Sequence, residues 1–285
     1  MHVYILPAIL LIIIAVLVFY LLKGNREIQS LKQNNNIAVS DCSALEKQLE
    51  SYQKKDEATD RFFAIVTHDL RGPIGNTGSI LQTMLDNPGI YDEETNIEIL
   101  TALKDTSKQS LELINTLSQW SRIQRKKTKV HPEPFVVQDL IENVIAKTKE
   151  KAVHKNITIS PVYNSPNPTL TTDIKLASDI LCHLVINAIK YSHPGTEVKI
   201  YISEEKGGVQ FHVEDNGIGI SEANMKKVMN KYDFFHTYGT DNEKGPGLGI
   251  TIVMEYTEML QGKFHAESKM EEGSDFFVLL PNIVS

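Results

Sequence analysis

Four short stretches carry residue types able to do chemistry. Thr240 to Glu255 places Gly245, Gly247 and Gly249 directly before an apolar, helix-like run. A loop of this build can cradle a phosphate or serve only as a flexible turn. "VEDNGIGI" ends a strand-like run with Asp215 and then supplies Gly217 and Gly219, where the backbone can turn tightly and let a ligand approach; taken alone, it also reads as an ordinary turn. Asn187 sits in the amphipathic run "CHLVINAIKYS", where a lone asparagine is commonly a satisfied core polar group. "FFAIVTHDLRGPIGNTGSIL" sets His68 and Asp69 among Phe62, Phe63, Ile65, Val66, Leu70 and Ile74, and a single histidine there can be chemical or structural.

The elements around these stretches fall into segments. Val3 to Leu22 carries no charge, and at ~1.5 Å per residue it matches the ~30 Å hydrocarbon core of a bilayer. It reads as an anchor rather than a cleavable signal peptide, because a basic start and a small-residue cleavage site are missing. Lys23 and Arg26 follow at once, so the positive-inside tendency places the N-terminus outside, the rest inside, with no room for an extracellular sensor. From Ile28 a weak heptad runs through Ile28, Asn35, Cys42 and Leu49 at one seam position and Leu31, Ala38, Leu45 and Tyr52 at the other. It reads as a parallel coiled coil or as a solvated linker.

A helical pattern then runs from Asp60 to Leu85, breaks at "DNPG" and resumes from Glu93 to Gln124, with Ile97, Leu100, Leu103, Leu111, Ile114 and Leu117 at three- and four-residue spacing. Such a hairpin needs a partner hairpin to cover its stripe. "RKKTKVHPEP" marks a boundary. Beyond it come a helix at Val137–Lys151, a strand at Ile157–Ser160, a helix at Ile174–Tyr191 and strand runs "EVKIYISEE" and "GVQFHVED". After the glycine loop follow another helix and the strands "GKFHAES" and "SDFFVLLP". This alternation predicts an α/β sandwich with helices on one face of a mostly antiparallel sheet. Across 285 residues, 41% hydrophobic content suits one or two globular domains, and a dispersed net charge of −7 argues against nucleic-acid binding. Two distant cysteines, Cys42 and Cys182, signal neither zinc nor disulfides.

Taken in order, Asn187 on a helix, Asp215-Asn216-Gly217 at a strand end and Gly245-Pro246-Gly247-Leu248-Gly249 before a helix resemble the asparagine box and two glycine boxes of the histidine-kinase ATP-binding module. The resemblance covers about residues 132 to 285 and takes in "TYGTDNEKGPGLG", similar to the family's nucleotide lid. His68, Asp69, Leu70, Arg71, Gly72 and Pro73 resemble the family's phosphoacceptor box. The chain thereby resembles a membrane-bound two-component sensor histidine kinase of α+β class. Its implied parts are a transmembrane anchor over 1–23 and a coiled-coil linker over 24–56. A dimerisation and phosphotransfer hairpin over 57–125, forming a four-helix bundle in the homodimer, precedes a catalytic ATP-binding domain over 132–285. The resemblance implies ATP and Mg²⁺ as ligands, a bacterial cytoplasmic membrane as location, and the aspartate of a separate response regulator receiver domain as acceptor.

The residues suit that chemistry. An ionised Asp215 accepts hydrogen bonds and cannot donate, so it pairs with the adenine amino group and disfavours guanine. Backbone N–H groups of Gly247, Leu248 and Gly249 at a helix start can surround phosphate oxygens. The Asn187 amide oxygen is a suitable magnesium ligand. Lys190 can touch phosphate and Tyr191 can stack near the base, although both can also be plain surface. Asp69 can take the Nδ1 proton of His68 and leave Nε2 free to attack the γ-phosphoryl group, and Pro73 should bend the helix there.

Two departures stand out: Gly72 occupies a position where the family often has threonine or asparagine to orient a water during dephosphorylation, and His183 replaces a common asparagine. Glycine has no side chain to orient that water, so the resemblance does not extend to phosphatase activity. A catalytically silent nucleotide-binding scaffold and a serine-directed protein kinase of the same superfamily are the competing readings.

Overall fold

A computed structural model describes residues 5–125, 128–166, 168–231, 233, 237–241, 243 and 247–283, with the side chains of residues 5–18, 22, 25–28, 30–41, 44, 47, 51, 52, 54, 55, 58, 61, 62 and 65 outside that description. The chain divides into two compact units, Met1–Glu57 and Ala58–Ser285. The first unit is helical. Of the apolar stretch expected to span a membrane, only Phe19, Tyr20 and Leu21 have described side chains, all exposed, and the remaining side chains lie outside the description. Among the described residues, no helix is long and apolar enough to cross a membrane. Of the heptad seam, Cys42, Leu45 and Leu49 are described and exposed; the other seam side chains lie outside the description.

Helix α1 (Ile5–Asp86) contains the first arm of the hairpin and is continuous through Pro73. The turn is made at "DNPG", where Gly89 takes a positive φ of 86°. Helix α2 (Glu93–Gln124) forms the second arm, begun by Asp92, whose carboxylate accepts from Thr95 N at 2.8 Å. Glu93 and Glu94 add negative charge to the first turn, where the helix dipole favours it. Along this arm Leu103, Trp120 and Ile123 are buried, while Ile97, Leu100, Leu111 and Ile114 remain exposed on the single chain.

The rest of the second unit is a two-layer sandwich. A five-stranded sheet runs β2 (Thr158–Tyr163), β4 (Glu197–Glu205), β5 (Gly208–Asp215), β7 (Gly273–Pro281), β6 (Lys263–Lys269), with β2–β4 parallel and the other pairs antiparallel. Helices α3 (Val137–His154), α4 (Ile174–Tyr191) and α6 (Gly249–Met259) supply apolar faces to one cluster with inward residues such as Val198, Ile200, Phe211, Val213 and Val278. The period-2 burial of β4 and β7 follows from successive side chains pointing to opposite faces. Each fully buried aliphatic or phenyl side chain contributes about 1.5–3 kcal/mol. Val66, Trp120 and Ile123 of the hairpin join this cluster. Lys108–Glu150 at 2.5 Å and Lys151–Glu112 at 2.9 Å add ion pairs between α2 and α3.

Five elements depart from the sequence expectation. A small sheet of β1 (Glu133–Val136) with β3 (Thr169–Thr172), and the short helix α5 (Glu222–Val228), carry too few residues to show a period. Strand β2 runs on past Ser160 through Pro161, which the sheet tolerates because β2 is an edge strand. Helix α3 extends to His154 instead of stopping at Lys151.

Candidate active site

Asp215 closes β5 on the helix-covered side of the sheet and is 4% exposed. Its Oδ1 accepts from Gly217 N at 3.0 Å. Burial pushes its carboxyl up to about 7, against the backbone N–H groups of Gly217 and Ser274, which favour the ionised form. A buried carboxylate with spare acceptor capacity is poised for a ligand that brings its own donor.

The sequence-distant loops meet at the C-terminal end of α4. A helix end leaves carbonyls without intrahelical partners, and here they are taken by three other segments. Lys190 O accepts from Thr240 N at 3.2 Å and from Lys155 Nζ at 2.6 Å. Tyr191 O accepts from Ile218 N at 3.1 Å, and Ser192 O accepts from the Thr240 hydroxyl. Ser192 also bridges Gly217. A Cβ at Gly217 would collide with the Tyr191 carbonyl, so only glycine lets the loop after Asp215 lie against α4. The Lys190 ammonium lies 4.9 Å from the Tyr191 ring centroid, and Lys190 Nζ and Tyr191 Oη each donate to Thr237 O at 3.4 Å.

Asn187, one turn earlier on α4, faces the start of α6. A Cβ built on Gly249 would lie 3.2 Å from Asn187 Nδ2 and 3.4 Å from Oδ1. Gly247 enters the helix with φ of 70°, and Leu248, fully buried, occupies the cap position with no side-chain cap. Among the described residues no side chain caps the first N–H groups of α6, which suits them to a ligand. Among the described residues, the Asn187 amide has no hydrogen-bond partner. An amide oxygen beside an uncapped helix start fits a magnesium ion that also keeps phosphate oxygens and waters. Gly245 lies outside the described residues. Gly219 has φ of 64° and contacts the β6–β7 turn at the Lys269 carbonyl.

His68 is on the hairpin, its side chain 84% exposed, with Nδ1 3.2 Å from Oδ1 of Asp69, which is 9% exposed. Among the described residues, His68 makes no hydrogen bond or ion pair with the cluster at α4. Where the hairpin meets the sandwich, His183 of α4 pairs its Nε2 with Gln119 Oε1 of α2 at 3.2 Å. Burial lowers the His183 pKa to about 4, so it is neutral at pH 7 and Nε2–H is the donor. His183 thus engages the hairpin one turn before Asn187 on the same helix. Sequence reasoning missed Lys155, Thr240 and Glu243, whose roles depend on the approach of the α3–β2 turn to the end of α4; no local pattern marks them.

With this geometry in place, residues 172–283 match the family model "Histidine kinase-, DNA gyrase B-, and HSP90-like ATPase". Sensor protein RprX of Bacteroides fragilis is 27% identical over 80% of this chain and 44% of its own. Sensor histidine kinase AtsR of Burkholderia thailandensis is 26% identical over 84% of this chain and 41% of its own. The chain therefore spans less than half the length of these relatives. Among solved structures, the Acinetobacter baumannii histidine kinase AdeS aligns with a TM-score of 0.59 at 21% identity, over 75% of this chain and 97% of its own. ThkA in complex with the response regulator TrrA aligns at 0.57 and 21%, over 82% of this chain and 66% of its own. The family match takes in most of the C-terminal sandwich, which is thus similar to this ATPase family. The relatives make the chain similar to sensor histidine kinases over part of their length.

Proposed function

We propose that the chain is a homodimeric, membrane-anchored sensor histidine kinase that transfers the γ-phosphoryl group of ATP to His68 and then to an aspartate of a response regulator receiver domain. The observation that carries this reading is the convergence of Asp215, Asn187 and the uncapped start of α6 at the end of one helix, in a chain whose hairpin displays His68 beside Asp69. Asp215 accepts the adenine amino group, and the N–H groups of Gly247, Leu248 and Gly249 hold phosphate oxygens. Lys190 and Tyr191, now engaged with Thr237, flank the nucleotide. Mg²⁺, held through Asn187, would supply charge neutralisation on the phosphates.

Asp69 holds the Nδ1 proton, so the Nε2 lone pair of His68 points outward as the nucleophile. A bond forms from Nε2 to the γ-phosphorus as the bond from phosphorus to the β,γ-bridging oxygen breaks, and ADP leaves with that electron pair. The exposed Ile97, Leu100, Leu111 and Ile114 are the surface a second hairpin would cover. Anchorage by residues 3–22 rests on their uncharged, apolar run.

Incubation of the full chain with γ-labelled ATP and Mg²⁺ tests the reading. Acid-labile label on the wild type and none on His68→Gln is the expected result. No label at all supports a silent scaffold, and acid-stable label on another protein supports a serine kinase; either overturns the proposal.

A further inference from the structure

Lys155 stands apart from the chain's other cations. Among the described residues it is the only lysine or arginine that is buried, at 4% exposure, and burial of an ammonium requires partners. It has two. Nζ donates to Lys190 O at 2.6 Å, and at 2.7 Å to Oε1 of Glu243. It leaves α3 at the cap position, just before Asn156, whose φ of 55° turns the chain into β2. Three elements distant in sequence therefore meet on one ammonium: the end of α3, the end of α4, and the loop between α5 and α6.

The loop side of this joint is equally built. Glu243 Oε2 accepts from Asp241 N at 2.8 Å, and Gly239 N donates to Glu243 O at 2.9 Å. A Cβ at Gly239 would collide with that carboxylate and approach the Lys190 carbonyl at 2.6 Å. Burial alone would raise the Glu243 pKa, but the hydrogen bonds from Lys155 and Asp241 outweigh it and hold the group ionised. The positive charge also sits at the negative end of the α4 dipole. Thr237, whose carbonyl takes both Lys190 Nζ and Tyr191 Oη, lies on this same loop.

We propose that Lys155 is a positioning residue for nucleotide binding: by joining Glu243 to the last turn of α4, it sets the loop so that Lys190 and Tyr191 face the bound nucleotide. This rests on the ATP-binding reading above. Lys155 touches no substrate and acts through the loop. Loss of either partner should loosen the loop and weaken ATP binding, while leaving the transfer step, which depends on His68 and Asp69, largely intact once ATP is saturating.

The test is a double-mutant cycle on the full chain with Lys155→Met, Glu243→Gln and both together. The readouts are the Kd for a non-hydrolysable ATP analogue with Mg²⁺ and the KM and kcat of His68 labelling. Each single variant should raise Kd and KM about tenfold with kcat within about threefold, a pattern that general loss of structure would not produce. The double variant should be no worse than the worse single, because the two residues act through one contact. If Lys155→Met does not fold, Glu243→Gln, at 35% side-chain exposure, carries the test. Unchanged Kd in a folded single variant, or additive effects in the double, overturns the proposal. A wild type that binds no analogue instead defeats the underlying ATP reading, so the two failures are distinguishable.

Discussion

Gly249 lies against the side-chain amide of Asn187, so close that a methyl group in place of its hydrogen would sit 3.2 Å from Nδ2. The helix expected to hold magnesium and the helix expected to hold phosphate thus touch at their working residues, so closely that a methyl group at 249 would make the amide give by a few tenths of an ångström. Gly249 is the first residue of α6 and does not take a left-handed conformation, so alanine is acceptable to the backbone and wrong only for the neighbour. Gly249→Ala should keep the fold and weaken ATP binding about tenfold, or about 1.4 kcal/mol, as calorimetric titration with a non-hydrolysable analogue would show.

On the proposed reading, Asp215 should make nucleotide binding depend on pH. Its carboxyl, pushed up to about 7 in the nucleotide-free protein, must be ionised to accept the adenine amino group. Affinity should therefore rise between pH 6 and pH 8, approaching tenfold per unit below the pKa. In Asp215→Asn the profile should be flat and the affinity lower. Titration of the analogue across that range checks both.

The same group acts on stability with the opposite sign to an ordinary paired carboxylate. Its folded pKa lies above the unfolded value of 3.8, so between about 4 and 7 the native state holds a proton that the unfolded chain has released. Stability from this residue falls as pH rises through that window. His183 opposes it: its pKa is lowered from 6.5 to about 4, so the unfolded chain binds more protons there, and its contribution is lost as pH falls through that range. Denaturant melts of the wild type should be nearly level between pH 4 and 6.5 from these two groups. Asp215→Asn should show a stability that climbs with pH over the same interval.

Asp69 is a neighbour of His68 by sequence and by contact, 3.2 Å from its Nδ1. Asp69→Asn removes the charge that favours the Nδ1–H tautomer while keeping the shape. Autophosphorylation should slow by about 10²-fold or more with ATP affinity unchanged, as single-turnover labelling would read.

Gly72 opens on space: nothing lies within 4 Å of a Cβ placed there. Threonine should therefore be tolerated, and replacing an interior helical glycine should stabilise α1 by a few tenths of a kcal/mol. If the missing side chain is what withholds dephosphorylation of the partner, Gly72→Thr should release phosphate from a phosphorylated receiver domain faster than the wild type.

The local elements were legible because their information is local. Helices α2 and α4 and strands β4 and β5 begin and end where period and punctuation place them. Asp92 and Asp173 cap their own helices, and the pairing of His68 with Asp69 needs no fold beyond a helix. Asn187, the Asp215 stretch and the glycines before α6 could likewise be named from order and residue type.

Only the tertiary structure decided what lies between them. The fit of Gly249 on Asn187, the docking of two loops on the last carbonyls of α4, the burial that lifts Asp215, and the Lys155–Glu243 pair across 88 positions depend on segments far apart in the chain. The parallel pairing of β2 with β4 and the small β1–β3 sheet are of the same kind. Periodicity reports which face of an element is apolar. It does not report which element covers that face, and desolvation and long-range hydrogen bonds exist only once that choice is made.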